Sequence, residues 1–129
     1  MAKHKQTLIK DISEETKKYV LERQHGKSIS GAVLSNYNVS FHHVISRGNQ
    51  GVGFDFNVVA ITFDEHRQYH DNNNIKVNGR DRYTPEEFET LMKNHLKLNY
   101  SGWTEDVCTY HKYWEEEDYR KCVKPHNPF

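Results

Sequence analysis

Residues 39–71 read VSFHHVISRGNQGVGFDFNVVAITFDEHRQYHD, and this stretch decides the fold. Two runs rich in β-branched and aromatic residues occupy positions 39–45 and 56–61, which predicts two strands. A segment with several glycines lies between them at positions 46–55, which indicates a loop. The stretch therefore begins as strand, loop and strand.

A helix is expected directly after the second strand. Thr62 can act as its N-cap, and Glu65 stands three residues later, which is the spacing of a capping box. The helix is predicted to run to His70, and the polar residues 71–74 end it. Two strands and one helix thus form the centre of the predicted fold.

The segment before this centre is predicted to hold one helix. Residues 1–11 carry several basic groups and are expected to form a loose arm. Ser13 is a suitable N-cap for a helix over about residues 13–25. Residues 27–38 contain Gly, Ser and Asn, so we expect a loop that leads into the first strand.

The segment after the centre is predicted to be mainly helical. The Asn-Gly pair at 78–79 indicates a small hairpin, and TPEE at 84–87 combines proline at N1 with a capping box. C-terminal helices are therefore expected across about residues 85–121, broken at Gly102, with the last one starting at Thr104. The late aromatic residues are expected to be core rather than a base-stacking surface: Tyr100, Trp103, Tyr110, Tyr113, Trp114 and Tyr119.

The composition suits one domain that does not coat nucleic acid. The chain has 129 residues, with 18 basic and 18 acidic groups that cancel. A protein that binds nucleic acid along its whole surface is usually strongly basic, so any DNA contact must come from a local patch. We expect a single α+β domain over residues 1–129, with its core at about 39–71 and helices on either side.

The two cysteines, Cys108 and Cys122, are expected to be free thiols. In a continuous last helix, fourteen residues at about 1.5 Å each would separate them by roughly 21 Å, too far for a disulfide. Free thiols indicate a reducing compartment. No apolar leader and no run of membrane-spanning length is visible, so a cytoplasmic protein with no membrane partner is expected.

Four of the nine histidines fall within the central stretch. His66 and His70 are four apart on the predicted helix, so their side chains share one face and can bind one metal ion. His42 and His43 are neighbours on the first strand, and neighbouring side chains of a strand point to opposite faces. At most one of this pair should therefore join His66 and His70, which leaves the other as a candidate base.

This combination of groups suits the hydrolysis of a phosphodiester. A neutral imidazole with a pKa near 6.5 can take a proton from water. A divalent cation can offset the negative charge that develops on the phosphate and can stabilise the leaving oxygen. Two strands and a helix can supply both from one short segment of chain.

The pattern FHHVISRG…FNVVAITFDEHRQYH resembles the motif of HNH endonucleases, over about residues 39–71. The resemblance implies a ββα-metal core and assigns a role to each polar residue. It implies that His42, His66 and His70 are the metal ligands and that His43 is the general base. It also implies that Asn57 steadies the loop and the base through backbone hydrogen bonds.

Two arginines are further candidates, and one family feature is missing. Arg47 follows the histidine strand and could contact the scissile phosphate, or it could be an ordinary solvent-exposed arginine. Arg67 points off the metal face and is a weaker candidate for the DNA backbone. Many HNH proteins carry two CxxC pairs that bind a structural zinc. Here the downstream pair would fall at Thr62 and Glu65, so no structural zinc is expected.

The resemblance implies one divalent ion and a DNA substrate. Three imidazoles favour Zn, Ni, Co or Mn on ligand softness, whereas the family works with several ions, so Mg, Mn, Ni and Zn all stay open. The family relation implies 5′-phosphate and 3′-hydroxyl ends and favours an origin in a bacteriophage, acting in the cytoplasm of a bacterial host. Nicking and double-strand cleavage stay open, as does an oligomer.

Two other classes of protein remain as alternatives. A metal-stabilised DNA-binding module without turnover would keep His42, His66 and His70 but would not need His43. A phage interaction or anti-defence protein could retain the motif as a scaffold. The presence of a candidate base at His43 weighs against both.

Overall fold

The computed structural model describes residues 5–126. Its mixture of helices and strands confirms the α+β class. In chain order the elements are α1 (Lys5–Lys10), α2 (Glu14–Arg23), β1 (Val39–His43), β2 (Val58–Thr62), α3 (Phe63–His70), β3 (Ile75–Val77), β4 (Arg80–Tyr83), α4 (Pro85–Asn99), β5 (Tyr100–Ser101), α5 (Glu116–Cys122) and β6 (Lys124–Pro125).

The centre of the fold is an antiparallel hairpin with a helix packed against it. Strands β1 and β2 pair from Val39 opposite Thr62 to His43 opposite Val58. Helix α3 follows β2 without a gap and contacts both strands. The predicted capping box is present, because Thr62 accepts the backbone N–H of Glu65 and the Glu65 carboxylate accepts that of Thr62.

Strand β2 divides the core into two clusters because its side chains alternate between two faces. Val59 and Ile61 pack into the larger cluster, together with residues of α4. Val58 and Ala60 pack against Val20 of α2. These four residues of β2 are fully buried, whereas the residues of β1 are all half-buried, so β2 is the inner strand of the hairpin.

The second strand starts later than predicted. Residues Asp55–Asn57 form a 3-10 turn, and the strand begins at Val58. The turn arises because polar groups of this segment bond inward: Asp55 and Asn57 are both buried. Buried polar groups must find partners, which outweighs the strand preference of Phe56.

The prediction of a loose arm over residues 1–11 was wrong for the part that the structure describes. Residues Lys5–Lys10 form helix α1, and Ile9 is buried in the main core. The backbone N–H of Gly53 donates to the Ile9 carbonyl at 2.9 Å, which ties this helix to the loop between β1 and β2. Its lysines suggested solvent exposure, whereas its few apolar positions decide the packing.

Helix α2 is slightly shorter than predicted, at Glu14–Arg23 instead of 13–25. Ser13 is its N-cap and accepts the backbone N–H of Thr16. The predicted Asn-Gly turn also forms. Asn78 and Gly79, which join β3 to β4, both have positive φ, at 53° and 76°.

The C-terminal helices differ from the prediction in one important respect. Helix α4 starts at the expected TPEE sequence, with Thr84 and Glu87 forming a capping box. The helix expected from Thr104 to 121 does not form. A short 3-10 turn at Asp106–Cys108 leads into an extended segment, and α5 begins only at Glu116.

Tertiary pairing explains this difference. The Val52 N–H donates to the Cys108 carbonyl at 2.8 Å, and the Tyr110 N–H donates to the Gln50 carbonyl at 2.7 Å. These bonds keep residues 108–110 extended against the loop after β1, so helical periodicity in this segment has no consequence.

The cysteine and aromatic predictions have mixed outcomes. Both cysteines are free, although the continuous helix used to separate them is absent; Cys108 is buried and Cys122 exposed. Of the aromatic residues expected in the core, three are buried: Tyr100, Trp103 and Tyr119. Tyr110 and Trp114 are half-buried, and Tyr113 is 84% exposed. No helix within residues 5–126 has the length and apolar content to cross a bilayer.

Candidate active site

The two adjacent histidines of β1 point to opposite faces of the hairpin. Nδ1 of His42 lies 3.2 Å from Nε2 of His66 on α3. Nε2 of His43 lies 2.8 Å from the carbonyl oxygen of Lys10, at the end of α1. We call these the imidazole face and the base face of β1. The alternation of a strand thus separates two neighbouring side chains into two environments.

The imidazole face holds two rings in a fixed orientation. Nδ1 of His66 is 2.6 Å from the hydroxyl of Ser40, which stands two residues before His42 on the same face of β1. The rings of His42 and His66 meet edge to face, with centroids 4.8 Å apart. Tyr69 makes a second edge contact with His42, at 5.4 Å between centroids. These contacts leave Nε2 of His66 aimed at His42.

Both rings on this face favour the neutral form. Burial lowers the pKa of His42 to about 3, and His66, His43 and His70 contribute like-charge repulsion. Burial also lowers the pKa of His66, with further repulsion from His70 and His43. A neutral imidazole has a lone pair, and a metal ligand needs one.

The geometry of this pair fits two ligands of one metal ion. Zinc–nitrogen bonds of about 2.0–2.1 Å at a tetrahedral angle place two nitrogens about 3.3 Å apart, close to the 3.2 Å between His42 and His66. If the lone pair of His66 is on Nε2, its Nδ1–H donates to the Ser40 hydroxyl. Metal-binding histidines are commonly oriented by such a hydrogen bond from the nitrogen that does not bind the metal. Nε2 of His42 is buried with no partner among the described residues.

The third predicted ligand is not brought into contact. Within residues 5–126 no group of three or more His, Cys, Asp or Glu side chains is arranged to hold a metal ion. His70 lies on α3, one turn beyond His66, and its side chain is exposed. It is near enough to lower the pKa of both His42 and His66. An exposed side chain can rotate toward the pair without unpacking the core.

The base face holds His43 by a backbone carbonyl. A carbonyl only accepts, so Nε2 of His43 must carry the proton that it donates to Lys10. The lone pair of the neutral ring is then on Nδ1, for which the described residues provide no hydrogen bond. Burial lowers the pKa of His43, and the hydrogen bond to the Lys10 carbonyl opposes this in part. The charges of Arg47 and Asp11 then lower and raise the pKa, respectively.

The segment that supplies this carbonyl is packed tightly against the loop after β1. Nζ of Lys10 donates to the side-chain oxygen of Gln50 at 2.6 Å. Gly53 approaches so closely that a Cβ there would lie 2.2 Å from the backbone oxygen of Asp11 and 2.8 Å from that of Lys10. Only glycine permits this approach, which fixes the distance between the Lys10 carbonyl and His43.

Asn57 is fully buried, and its side chain holds the loop between β1 and β2 through hydrogen bonds to the backbone. Its side-chain oxygen accepts the N–H of Ile45 at 2.8 Å. Its amide nitrogen donates to the carbonyls of Ile45, at 3.0 Å, and Val52, at 2.8 Å. Backbone hydrogen bonds of this kind are what the HNH resemblance implied for Asn57, and they tie the two ends of the loop to the start of β2.

The two candidate arginines are both ion-paired. Nη1 of Arg47 lies 2.5 Å from Oδ1 of Asp11, next to His43, so it is not a free loop arginine. Arg67 pairs with Asp64 at 3.3 Å on the exposed side of α3, away from His42. Arg47 therefore belongs to the base face, whereas Arg67 is outside both faces.

A buried polar network supports the 3-10 turn that carries Asn57. The guanidinium of Arg23 donates to the carbonyls of Asp55 and Val58 and to Nε2 of His95. The Asp55 carboxylate accepts from the Tyr100 hydroxyl and from Arg120. This network connects the turn to α2, α4, β5 and α5.

Sequence reasoning missed three groups of the site. Ser40 had a signal, because it stands two residues before His42 and must share its face. The Lys10 carbonyl and the Asp11 carboxylate had none, because they reach His43 and Arg47 through tertiary contacts across more than thirty residues. A backbone carbonyl leaves no trace in side-chain identity.

Comparisons with known proteins add no identity to this geometry. No family model, no curated protein and no solved structure matches the chain. The chemistry must therefore be argued from the residues themselves.

Proposed function

We propose that this protein is a metal-dependent DNA endonuclease of the HNH type. The observation that carries the proposal is the division of β1 into two faces: a paired imidazole site at His42 and His66, and a singly held imidazole at His43. Hydrolysis of a phosphodiester needs a cation and a base on neighbouring sites. Two adjacent residues of one strand supply these groups, one on each face of β1.

His43 has the properties of a general base. Its Nε2 proton is committed to the Lys10 carbonyl, so Nδ1 can accept a proton from an attacking water. A lowered pKa keeps the ring neutral and ready at neutral pH. Protonation then places a positive charge beside the reacting phosphate, while the Lys10 carbonyl continues to accept from Nε2.

His42, His66 and His70 would hold one divalent ion. When bound, that ion would offset charge on the phosphate and stabilise the leaving oxygen. The chain keeps the imidazoles of His42 and His66 neutral through burial, and the Ser40 hydroxyl orients the ring of His66. His70 completes the set after rotation of its exposed side chain. Imidazoles favour Zn, Ni or Mn, and with phosphate and water as further ligands Mg also fits.

Asn57 and Arg47 would position the loop and the substrate. Asn57 fixes the segment that follows His43, so the base stays at a constant distance from the imidazole face. Arg47 is held beside His43 by Asp11 and presents further N–H donors for a phosphate oxygen. The family resemblance supports 5′-phosphate ends, a phage origin and action on DNA in a bacterial cytoplasm.

Cleavage of supercoiled plasmid tests the proposal. Wild-type protein is incubated with Mg, Mn, Ni or Zn, or with EDTA, beside His43→Ala and the matched control His126→Ala, an exposed histidine remote in sequence from the motif. We expect metal-dependent nicking by wild type and control, and a loss of about 10²–10⁴-fold in His43→Ala. Absence of cleavage with every metal, together with retained DNA binding, would favour a binding module instead.

A further inference from the structure

A groove runs along the outer edge of β1, beside the proposed catalytic residues. Within the described residues β1 and β2 form a two-stranded sheet, so the other edge of β1 carries no strand. A cavity of about 370 Å³ lies there. Its lining includes Ser40, Phe41 and His43, which are close neighbours in β1. Phe41 and His43 share one face of β1 with Val39, which also lines the cavity, so the cavity lies mainly on the base face, along the free edge of the strand.

The walls of this groove suit a phosphate backbone. Lys17 of α2 lies on one side, with its ammonium 5.8 Å from the centroid of the Phe41 ring. Arg47 lies at the end occupied by His43. Asp11 is the acidic residue in the lining, and it is engaged with Arg47. Lys17 is itself paired with Glu14 at 3.0 Å, so the two cations that flank the candidate base would bind a phosphate by exchanging these surface carboxylate partners.

The far end of the groove is aromatic. Phe63 lines it and is 58% exposed, although it is a large apolar residue. It stands three residues before His66 and seven before His70, so all three lie on one side of α3 within about 10 Å along the axis. Phe63 also lines a neighbouring cavity of about 510 Å³, together with Tyr37, which is 94% exposed.

This interleaving of cations and exposed rings is the chemistry that binds unpaired nucleotides. Aromatic side chains stack on bases whose faces are free, and the basic groups follow the backbone. In a duplex the faces of the bases are stacked on one another, so Phe63 and Tyr37 could not reach them. The rings are also too exposed to contribute much to the core, which leaves their position without a packing explanation.

We propose that the substrate is DNA with unpaired nucleotides at the cleavage site, with one base stacked on Phe63 and the next on Tyr37. The proposal rests on the function proposed above, because it places the scissile phosphate beside His43, which lines the groove. Lys17 and Arg47 hold the backbone on either side of that phosphate. The groove thus explains how a chain with no net charge binds DNA through one local patch.

Binding without metal separates this proposal from catalysis. Fluorescence anisotropy in EDTA compares a 20-nucleotide oligo-dT strand with a 20-base-pair duplex at equal salt. Variants are Phe63→Ala, Phe63→Leu and Tyr37→Ala. Tyr113→Ala is the matched control, since Tyr113 is 84% exposed and outside both cavities. All three positions are exposed, so the four variants should fold as wild type does.

We expect the single strand to bind at least tenfold more tightly than the duplex. Phe63→Ala and Phe63→Leu should weaken single-strand binding about 5- to 100-fold, and Tyr37→Ala should weaken it less. Tyr113→Ala should have no effect. Equal affinity for the duplex, or equal behaviour of Phe63→Ala and Tyr113→Ala, would overturn the proposal. Retained binding in Phe63→Leu would also overturn it, because leucine keeps the apolar surface without the ring.

Cleavage of matched oligonucleotides with metal present then distinguishes the two proposals. A bubble or single-stranded site should be cut at least tenfold faster than a perfect duplex of the same sequence. Equal cutting of the perfect duplex overturns the preference for unpaired DNA and leaves the nuclease intact. Selective single-strand binding without any cutting overturns the nuclease and supports the binding groove.

Discussion

The two faces of β1 differ in how they satisfy their histidines. On the imidazole face, His42 and His66 are turned toward each other, and the outer nitrogen of His66 meets a side chain, Ser40. On the base face, His43 has one hydrogen-bond partner among residues 5–126, which is the backbone carbonyl of Lys10. The imidazole face thus brings nitrogens of two rings together. On the base face, Nδ1 of His43 has no hydrogen bond from the described residues.

This difference shows how one strand can place two neighbouring histidines in different environments. Side-chain partners on the imidazole face can be read from strand and helix spacing, since Ser40, His42, His66 and His70 all belong to the motif. The partner on the base face comes from α1, far along the chain. The imidazole face is therefore local in sequence, whereas the base face depends on tertiary packing.

The largest expected effect on stability concerns the loop between β1 and β2. Asn57→Ala leaves the buried carbonyl of Val52 and the polar backbone of Ile45 without their partners. We expect the free energy of unfolding to fall by about 2–3 kcal/mol. Urea denaturation measures it, with the exposed Asn49→Ala as control. Equal midpoints for the two variants would show that Asn57 does not hold the loop.

Removal of the Ser40 hydroxyl, which contacts Nδ1 of His66, should weaken metal binding at the imidazole face and leave the base face unchanged. Ser40→Ala deletes the partner of Nδ1, and loss of such an outer partner typically costs about 10–100-fold in metal affinity. Calorimetric titration with Zn or Ni measures this, beside the exposed Ser101→Ala. Unchanged affinity would mean that Ser40 does not orient the ring.

Displacement of the backbone at Lys10 and Asp11 should lower kcat through the base face and leave metal binding at the imidazole face unchanged. In Gly53→Ala the new Cβ collides with the backbone of Asp11 and Lys10, so the carbonyl must move away from His43. We expect kcat to fall about tenfold with metal affinity unchanged. Gly48→Ala, in the same loop but with nothing within 4 Å of its added Cβ, should behave as wild type.

Nitrogen NMR of the His43 ring gives a second measure of the Gly53→Ala effect. The wild-type ring should carry its proton on Nε2, whereas the variant should show a mixture of tautomers. A pure Nε2–H ring in Gly53→Ala, or equal losses in both glycine variants, would contradict the role of the Lys10 carbonyl.

The smallest effect is a change in how stability depends on pH. Burial, with a smaller contribution from Arg23, lowers the pKa of His95 to about 4. The unfolded chain, with a pKa near 6.5, takes up this proton first, so stability falls as the pH drops from 6.5 toward 4. In His95→Gln we expect this acid loss to shrink by on the order of 1–2 kcal/mol.

Urea titrations of metal-free protein at several pH values check the His95 prediction. The dependence that remains in His95→Gln should come mainly from the buried His42, which has a shift of the same sign. Identical pH dependence in wild type and His95→Gln would show that His95 is not buried as a neutral ring. Subtracting His95 in this way leaves the contribution of the histidines on both faces of β1.

Much of the centre could be predicted from sequence because its signals are local. The capping box at Thr62 and Glu65, the turn at 78–79 and the start of α4 all depend on neighbours within four residues. The opposite orientation of His42 and His43 follows from strand geometry alone. The alternating burial of β2 also needs no more than its own residues.

The rest could not be predicted because it depends on contacts between distant segments. Helix α1 docks through Ile9 and a close approach to Gly53, and neither is visible in a basic N-terminal sequence. The helix expected from Thr104 is prevented by backbone pairing of residues 108–110 with the loop after β1. The position of His70 relative to His42 depends on a side-chain rotamer, which helical spacing does not determine.

The most direct test of the two-face account measures metal binding and cleavage on the same pair of variants. His42→Ala and His43→Ala remove neighbouring side chains from opposite faces, so each serves as the control for the other. We predict that His42→Ala loses both Zn or Ni binding and plasmid cleavage, whereas His43→Ala keeps metal binding and loses cleavage by about 10²–10⁴-fold. Loss of metal binding in both variants, or cleavage by His43→Ala at the wild-type rate, would contradict the account.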